Sequence, residues 1–389
     1  MSRPAVEVAD ILRALGNRFL DRYNKSFSFQ QFKVFRAIQN CRTAALGGHV
    51  DACSQCGYQA ISYNSCRNRH CPKCQAKARE QWLNAREREL LATDYFHVVF
   101  TVPHELNVLA LENPRMFYDL LFTASAQTLL EVAGDPRHLG AEIGAISILH
   151  TWGQNLLLHP HVHCVIPAGG ISPDHTRWIG PRYRFFLPVK VLGRVFRGKF
   201  RAGLKRLYRR KQLRCAGPAS LLAEPKQFHQ LLRRLHRQDW VVYAKPAFGG
   251  PEKVLRYLGR YTHRIAISNH RLLVFDSERV TFRKDYAHGG KQRKMTLDAT
   301  EFLRRFFLHV LPKGFVRIRH FGFLANRFRS SRLALCRQLL SVSPVAAAAP
   351  LGLADVSSNW QCPRCRGPMI VLLRLTAADL SRCSYFDSS

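Results

Sequence analysis

The stretch His159-Pro160-His161-Val162-His163 decides how the middle of this chain folds. Along a strand, side chains alternate between faces, so His159, His161 and His163 project to one side while Val162 and Cys164 point to the other. Three imidazoles on one face of a strand make a candidate metal site. Working outward, residues 96–102, 146–152, 161–167 and 240–245 have strand composition. Helical patterns fall between them: residues 114 to about 132 behind a cap at Asn113, a run rich in Arg and Lys, and residues 228–237. Strands interspersed with helices, with no need for parallel pairing, predict an α+β sandwich in which helices cover a sheet.

The last of these strands is followed by Tyr257-Leu258-Gly259-Arg260-Tyr261. Gly250-Pro251-Glu252 offers proline at a first helical position and an acid in the first turn, and Val254, Leu255 and Leu258 supply apolar positions, so a helix is expected here. Its two phenols would lie one turn apart on one face. Taken alone, such a pair is more often two amphipathic core side chains than two nucleophiles. Beyond it, residues 264–268, 271–275 and 279–284 read as short strands, and Asp298-x-x-Glu301 as the cap of a helix through residue 310.

Charge narrows the class of partner. The chain has 60 Lys and Arg against 26 Asp and Glu in 389 residues, a formal charge of +34. An excess spread over the whole length repels itself in a compact fold unless an anion is expected, and nucleic acid is that anion. It peaks over residues 190–214, with eleven Lys or Arg and no acid. Val189, Leu192, Phe196, Phe200, Leu204 and Leu207 recur there at helical spacing, so one face of the helix packs on the protein and the other, with Arg206, Arg209 and Arg210, faces phosphate. No apolar leader or run of membrane-spanning length is visible, so a cytoplasmic location is expected, at the nucleoid when DNA is bound, with no membrane partner.

Twelve cysteines in a reducing compartment read as metal ligands or buried thiols. Cys53-Ser-Gln-Cys56 and Cys71-Pro-Lys-Cys74 are two knuckles expected to share one structural zinc ion. Beside them Cys41, His49, Cys66 and His70 could form a second site; alternatively Cys41 is a buried thiol at a helix end, and the two histidines contact phosphate or satisfy loop backbone. Cys362-Pro-Arg-Cys365 is half a knuckle whose missing ligands could be Cys336 and Cys383, or an unoccupied remnant. Three units follow: a helical zinc-binding DNA-recognition domain over residues 1–93, a catalytic domain with the tyrosine helix over 94–330, and a C-terminal tail with the half knuckle over 331–389.

Strand-borne histidines, a tyrosine pair on a nearby helix and a basic surface suit attack of a phenolate on a DNA phosphodiester, with a divalent cation held by the histidines and Arg256, Arg260 and His263 placed to favour the phenolate. Residues 155–170, Asn-Leu-Leu-Leu-His-Pro-His-Val-His-Cys-Val-Ile-Pro-Ala-Gly-Gly, resemble the His-hydrophobic-His motif of the HUH single-strand nucleases, and Tyr257-x-x-x-Tyr261 resembles their two-tyrosine motif. Residues 63–74, Tyr-Asn-Ser-Cys-Arg-Asn-Arg-His-Cys-Pro-Lys-Cys, are similar to the zinc domain of the insertion-sequence-ninety-one group of transposases. So is Arg317-Ile-Arg-His-Phe-Gly-Phe-Leu-Ala-Asn-Arg327 to a segment of that group.

The resemblance implies an HUH-type, antiparallel-rich sheet and rolling-circle transposition. One tyrosine nicks single-stranded DNA at a transposon end, is joined to the 5′ phosphate and leaves a 3′ hydroxyl; the second serves the later transfer to target. Under it, His161 and His163 ligate Mg²⁺ or Mn²⁺, Tyr257 and Tyr261 are nucleophiles, and the third metal ligand is open among His159, Gln154 and His263. Two rivals stand beside this reading. A non-catalytic zinc-finger regulator leaves the histidines and tyrosines idle, and a zinc hydrolase needs further His and Asp ligands in a chain short of acids.

Overall fold

The computed structural model describes residues 4–182, 186–246, 259, 265–284, 293–340 and 361–382. Two helices, α1 (Val8–Tyr23) and α2 (Phe29–Gln39), come first, then an antiparallel hairpin of β1 (Gly48–Cys53) and β2 (Gln59–Tyr63), and α3 (Gln75–Glu87). The chain continues through β3 (Tyr95–Thr101), α4 (Asn107–Glu112), α5 (Pro114–Gly134), β4 (Gly144–Trp152), β5 (Leu158–Pro167) and a short pair, β6 (Gly170–Ile171) and β7 (Trp178–Ile179). Next come α6 (Val189–Arg209), α7 (Pro225–Arg237) and β8 (Val242–Pro246). A small antiparallel sheet of β9 (Leu272–Phe275), β10 (Arg279–Lys284) and β11 (Arg293–Asp298) precedes α8 (Ala299–Phe307). The last elements are β12 (Ile318–Gly322), α9 (Arg329–Leu339), β13 (Met369–Leu375) and α10 (Ala377–Arg382).

The central sheet has the order β12-β4-β5-β3-β8, and every neighbouring pair is antiparallel. The expected α+β architecture, an antiparallel sheet flanked by helices, is therefore what forms. Alternation gives its strands two faces. One carries Phe96, Val98, Phe100, Leu149, Val162, Cys164 and Ile166 into the main core, beneath α5 and α6. Phe196 and Phe200 of α6 are fully buried there, with Phe196 edge-on to Phe100 at 5.0 Å between ring centres. Burying each such ring contributes roughly 1.5–3 kcal/mol, so α6 is fixed by its apolar stripe. The other face carries Tyr95, Ile148 and Val165 under Trp82 and Leu83 of α3, and beside them the histidines.

A second core joins α1 and α2 to the small sheet and α8, through Phe19, Phe35, Phe282, Phe302 and Phe307. Two local expectations are changed. Residues 265–268 form no strand, because buried Ala266 sits in the left-handed region at φ +57°, and Asn269 turns back to accept the Val8 amide at 3.2 Å. Asn113 precedes α5 as expected, but its side chain binds the backbone of Arg214, at 2.9 and 2.7 Å, instead of capping the helix. Edge strand β12 ends on Gly322 at φ +61°, where a Cβ would lie 1.8 Å from the Ile143 carbonyl oxygen, so only glycine closes the strand.

Candidate functional site

Antiparallel register builds the histidine cluster. On β5, His161 stands opposite His150 of β4, and His163 opposite Ile148. His150, His161 and His163 therefore share one face, with their ligand nitrogens all within 4.8 Å of one another. Burial pushes the His161 imidazole down to about 4 and His163 well below its ordinary value, so both are neutral at pH 7 with a lone pair to offer. His161 Nδ1–H donates to the His159 carbonyl at 2.6 Å, which leaves Nε2 for a cation. Nδ1 of His163 lies 2.7 Å from Nε2 of His97 on β3. A cation on His163 Nε2 would keep the proton on Nδ1, from where it would be donated to His97.

Sequence reading missed His150 and His97. The candidate it offered, His159, is exposed and outside the cluster, because a bulge between His150 and Trp152 breaks the ladder before reaching it. Gln154 is exposed at the hairpin tip, and His263 lies outside the described residues. The one signal for His150 was its even spacing from Ile146 and Ile148 on the strand expected over residues 146–152.

Three side chains from the C-terminal half clamp the turn that joins β4 to β5. Arg271 donates to the Gln154 carbonyl at 3.2 Å and Arg305 to that of Asn155 at 3.0 Å. Buried His309 donates from Nε2 to the Leu156 carbonyl at 3.0 Å and accepts from the Thr151 hydroxyl at Nδ1, 3.1 Å away. Leu156 is fully buried at φ +61°. Backbone held in that region persists only where its surroundings enforce it, and these bonds do so next to His150 and His161.

The described cysteines are grouped differently from the expected set. Cys53 and Cys56 do not meet Cys71 and Cys74: one group is Cys41, Cys66, Cys71 and Cys74, the other Cys53, Cys56, Cys362 and Cys365. The hairpin explains this. Cys53 and Cys56 sit at its tip, while Cys41 and Cys66 flank its open end, where Gly48 pairs with Tyr63. Six strand residues separate the two ends by about 20 Å. In the first group Cys74 Sγ lies 3.5 Å from both Cys41 and Cys66, close to the ~3.7 Å that a tetrahedral zinc with bonds near 2.3 Å requires. Four thiolates leave no open position, so such a zinc is structural.

The histidines proposed beside those cysteines have other partners. His70 Nε2 accepts the Leu311 amide at 3.1 Å, so it satisfies backbone, and His49 Nε2 faces Asp51 at 3.4 Å. Cys336 is buried among apolar side chains, its thiol pushed up to about 12 by burial, and belongs to neither group; Cys383 lies outside the described residues. The first group has a direct connection to the histidines. Cys74 is the residue from which α3 starts, and α3 lays Trp82 and Leu83 over the histidine-bearing face. Gly259 is buried against the same helix, and a Cβ there would meet Leu83 Cδ1 at 2.7 Å. Tyr257, Tyr261, Arg256 and Arg260 lie outside the described residues.

Helix α6 buries Leu192, Phe196, Phe200 and Leu204 as expected, whereas Val189 at its start is 41 % exposed. Arg206, Arg209 and Arg210 are exposed, on the side of the sheet away from the histidines. Among the described residues no helix is long and apolar enough to cross a membrane.

A family described as "Transposase zinc-binding domain" matches residues 11–102, and one described as "Putative transposase" matches residues 144–332. The chain is 52 % identical to "Putative transposase y4qJ" of Sinorhizobium fredii, over 96 % of each protein. It is 28 % identical to "Transposase for insertion sequence element IS801" of Pseudomonas savastanoi pv. phaseolicola, over 85 % of this chain and 80 % of the relative. No solved structure matches. The two family matches, with near full-length similarity to a transposase, place the chain in the IS91-type transposase family.

Proposed function

We propose that this transposase cuts and rejoins single-stranded DNA at the ends of its element by rolling-circle chemistry, with Tyr257 and Tyr261 as nucleophiles. In the first step a phenolate oxygen attacks the scissile phosphorus. The bond from phosphorus to the 3′ oxygen breaks, the 3′ oxygen takes up a proton, and the 5′ phosphate stays on the tyrosine as a diester. The second tyrosine repeats the attack during transfer to the target.

His150, His161 and His163 would hold a divalent cation, which supplies charge neutralisation at a non-bridging phosphate oxygen. Their cluster contains imidazoles alone among the described residues, a donor set that suits a transition-metal ion better than Mg²⁺. Basic side chains, with Arg206, Arg209 and Arg210 on α6 and Arg256 and Arg260 beside the tyrosines, would bind the DNA backbone.

The observation that carries this reading is the convergence of three histidines on the sheet face that α3 covers. Gly259, two residues from each tyrosine in sequence, packs on that same helix. The test is to incubate the protein with a labelled single-stranded oligonucleotide of the element's end and Mn²⁺, then digest the denatured adduct. A label on the peptide containing Tyr257 or Tyr261 is expected. Cleavage with no covalent adduct, as a hydrolase would give, or binding with no cleavage, as a regulator would give, overturns it.

A further inference from the structure

We infer that Cys53, Cys56, Cys362 and Cys365 hold a second structural zinc ion, which clasps the C-terminal segment onto the N-terminal hairpin. The matched zinc-binding region, residues 11–102, contains two of these cysteines and not the other two. The four sulfurs lie within 4.8 Å of one another, with Cys53 to Cys365 at 3.4 Å and Cys56 to Cys362 at 3.6 Å. These separations are far above the ~2.05 Å of a disulfide and near those of a tetrahedral thiolate site.

The two halves are built alike. In each Cys-x-x-Cys turn the residue after the second cysteine, Gly57 or Arg366, has positive φ, at +70° and +62°. Its amide donates to the carbonyl of the first cysteine, at 3.1 and 2.9 Å. Amides also point at sulfur: Gln55 N–H at Cys53, Arg364 N–H at Cys362 and Gly367 N–H at Cys365, each at 3.4 Å. Donors aimed at sulfur favour thiolate, the form that binds metal. Two such turns facing each other present four thiolates to one point.

A second, independent observation shows what the metal is needed for. β13 pairs with β1 along the edge of the hairpin, Gly48 opposite Leu375 through Cys53 opposite Met369. Yet Ile370, Val371, Leu372 and Leu373 remain 50–56 % exposed, and Met369 is the strand's one buried residue. With so little apolar burial, β13 is held on the hairpin chiefly by its backbone pairing with β1. Small units short of buried apolar surface are held by metal. The clasp therefore makes the position of β13 zinc-dependent and gives the chain two zinc ions with separate tasks.

The test counts metal and reads cysteine reactivity, neither of which depends on DNA cleavage. Elemental analysis of the full chain purified without chelator should give two zinc ions, and Cys362→Ser/Cys365→Ser should give one, with faster protease trimming of the C-terminal segment. Cys56 and Cys365 are exposed, so iodoacetamide followed by peptide mapping provides a readout on the parent alone, even where the serine variant does not fold. Both should resist alkylation in the zinc-loaded protein and react at least tenfold faster after chelation. One zinc in the parent, two in the serine variant, or rapid alkylation of Cys56 and Cys365 in zinc-loaded protein overturns the clasp.

Discussion

His161 is prepared for a cation before one arrives. Its Nδ1–H is committed to the His159 carbonyl, burial keeps the ring neutral, and His150 and His163 bring two further imidazoles within ligand distance. His150→Ala should therefore weaken Mn²⁺ binding by at least about tenfold, whereas His159→Ala should change it by no more than about threefold. Calorimetric titration of the folded variants checks this, and the reverse ranking would return the third ligand to His159. At His309, substitution by Leu leaves the Leu156 carbonyl and the Thr151 hydroxyl without their buried partner. The cost should be about 2–4 kcal/mol in urea unfolding, partly recovered by Gln, which can both donate and accept; equal loss in the two variants contradicts the clamp. His161 and His163 were legible because alternation within one strand shows a shared face. His150 was not, because it joins them through the register between two strands, which a single sequence does not specify.

Among the elements, α6 was the most legible, since Leu192, Phe196, Phe200 and Leu204 mark its buried stripe at helical spacing. Its exposed arginines give a prediction at this scale. Replacing Arg206, Arg209 and Arg210 together with Gln should lower the slope of log affinity against log salt by about one unit for every phosphate the helix no longer binds. Because these residues lie across the sheet from the histidines, the cleavage rate at saturating DNA should be unchanged. An unaltered slope would make this face merely solvated. The cysteine elements were only half legible. Spacing shows that Cys53-x-x-Cys56 and Cys71-x-x-Cys74 are knuckles, but the β1–β2 hairpin separates them, and the partner of the first arrives with β13 from the far end of the chain. Edge strand β12 was passed over as well, since its pairing with β4 comes from tertiary packing and not from a strong local pattern.

At the scale of the whole molecule, the α+β class followed from strands interspersed with helices, whereas the joining of α1 and α2 to α8 in one core was not legible, because it connects segments far apart in sequence. Burial of neutral histidines also makes the fold sensitive to acid. His70 and His309 are held down to about 3 and about 4, chiefly by burial, against about 6.5 in the unfolded chain. Such depressed groups contribute fully above pH 6.5 and lose their contribution as pH falls toward those values, up to roughly 5 kcal/mol for His70 and roughly 3 kcal/mol for His309. At constant ionic strength the urea midpoint should drop between pH 6.5 and 4; a flat midpoint across that window contradicts neutral burial. In the proposed reaction a tyrosine oxygen becomes bonded to the 5′ phosphate of the cut strand. Tyr257→Phe/Tyr261→Phe removes two oxygens and leaves the rings, and is assayed with labelled single-stranded end DNA and Mn²⁺. DNA binding and Mn²⁺ binding should persist while nicking and the denaturation-resistant adduct are lost together; an adduct formed at the parent's level by the double variant would rule out both tyrosines as the attacking residues.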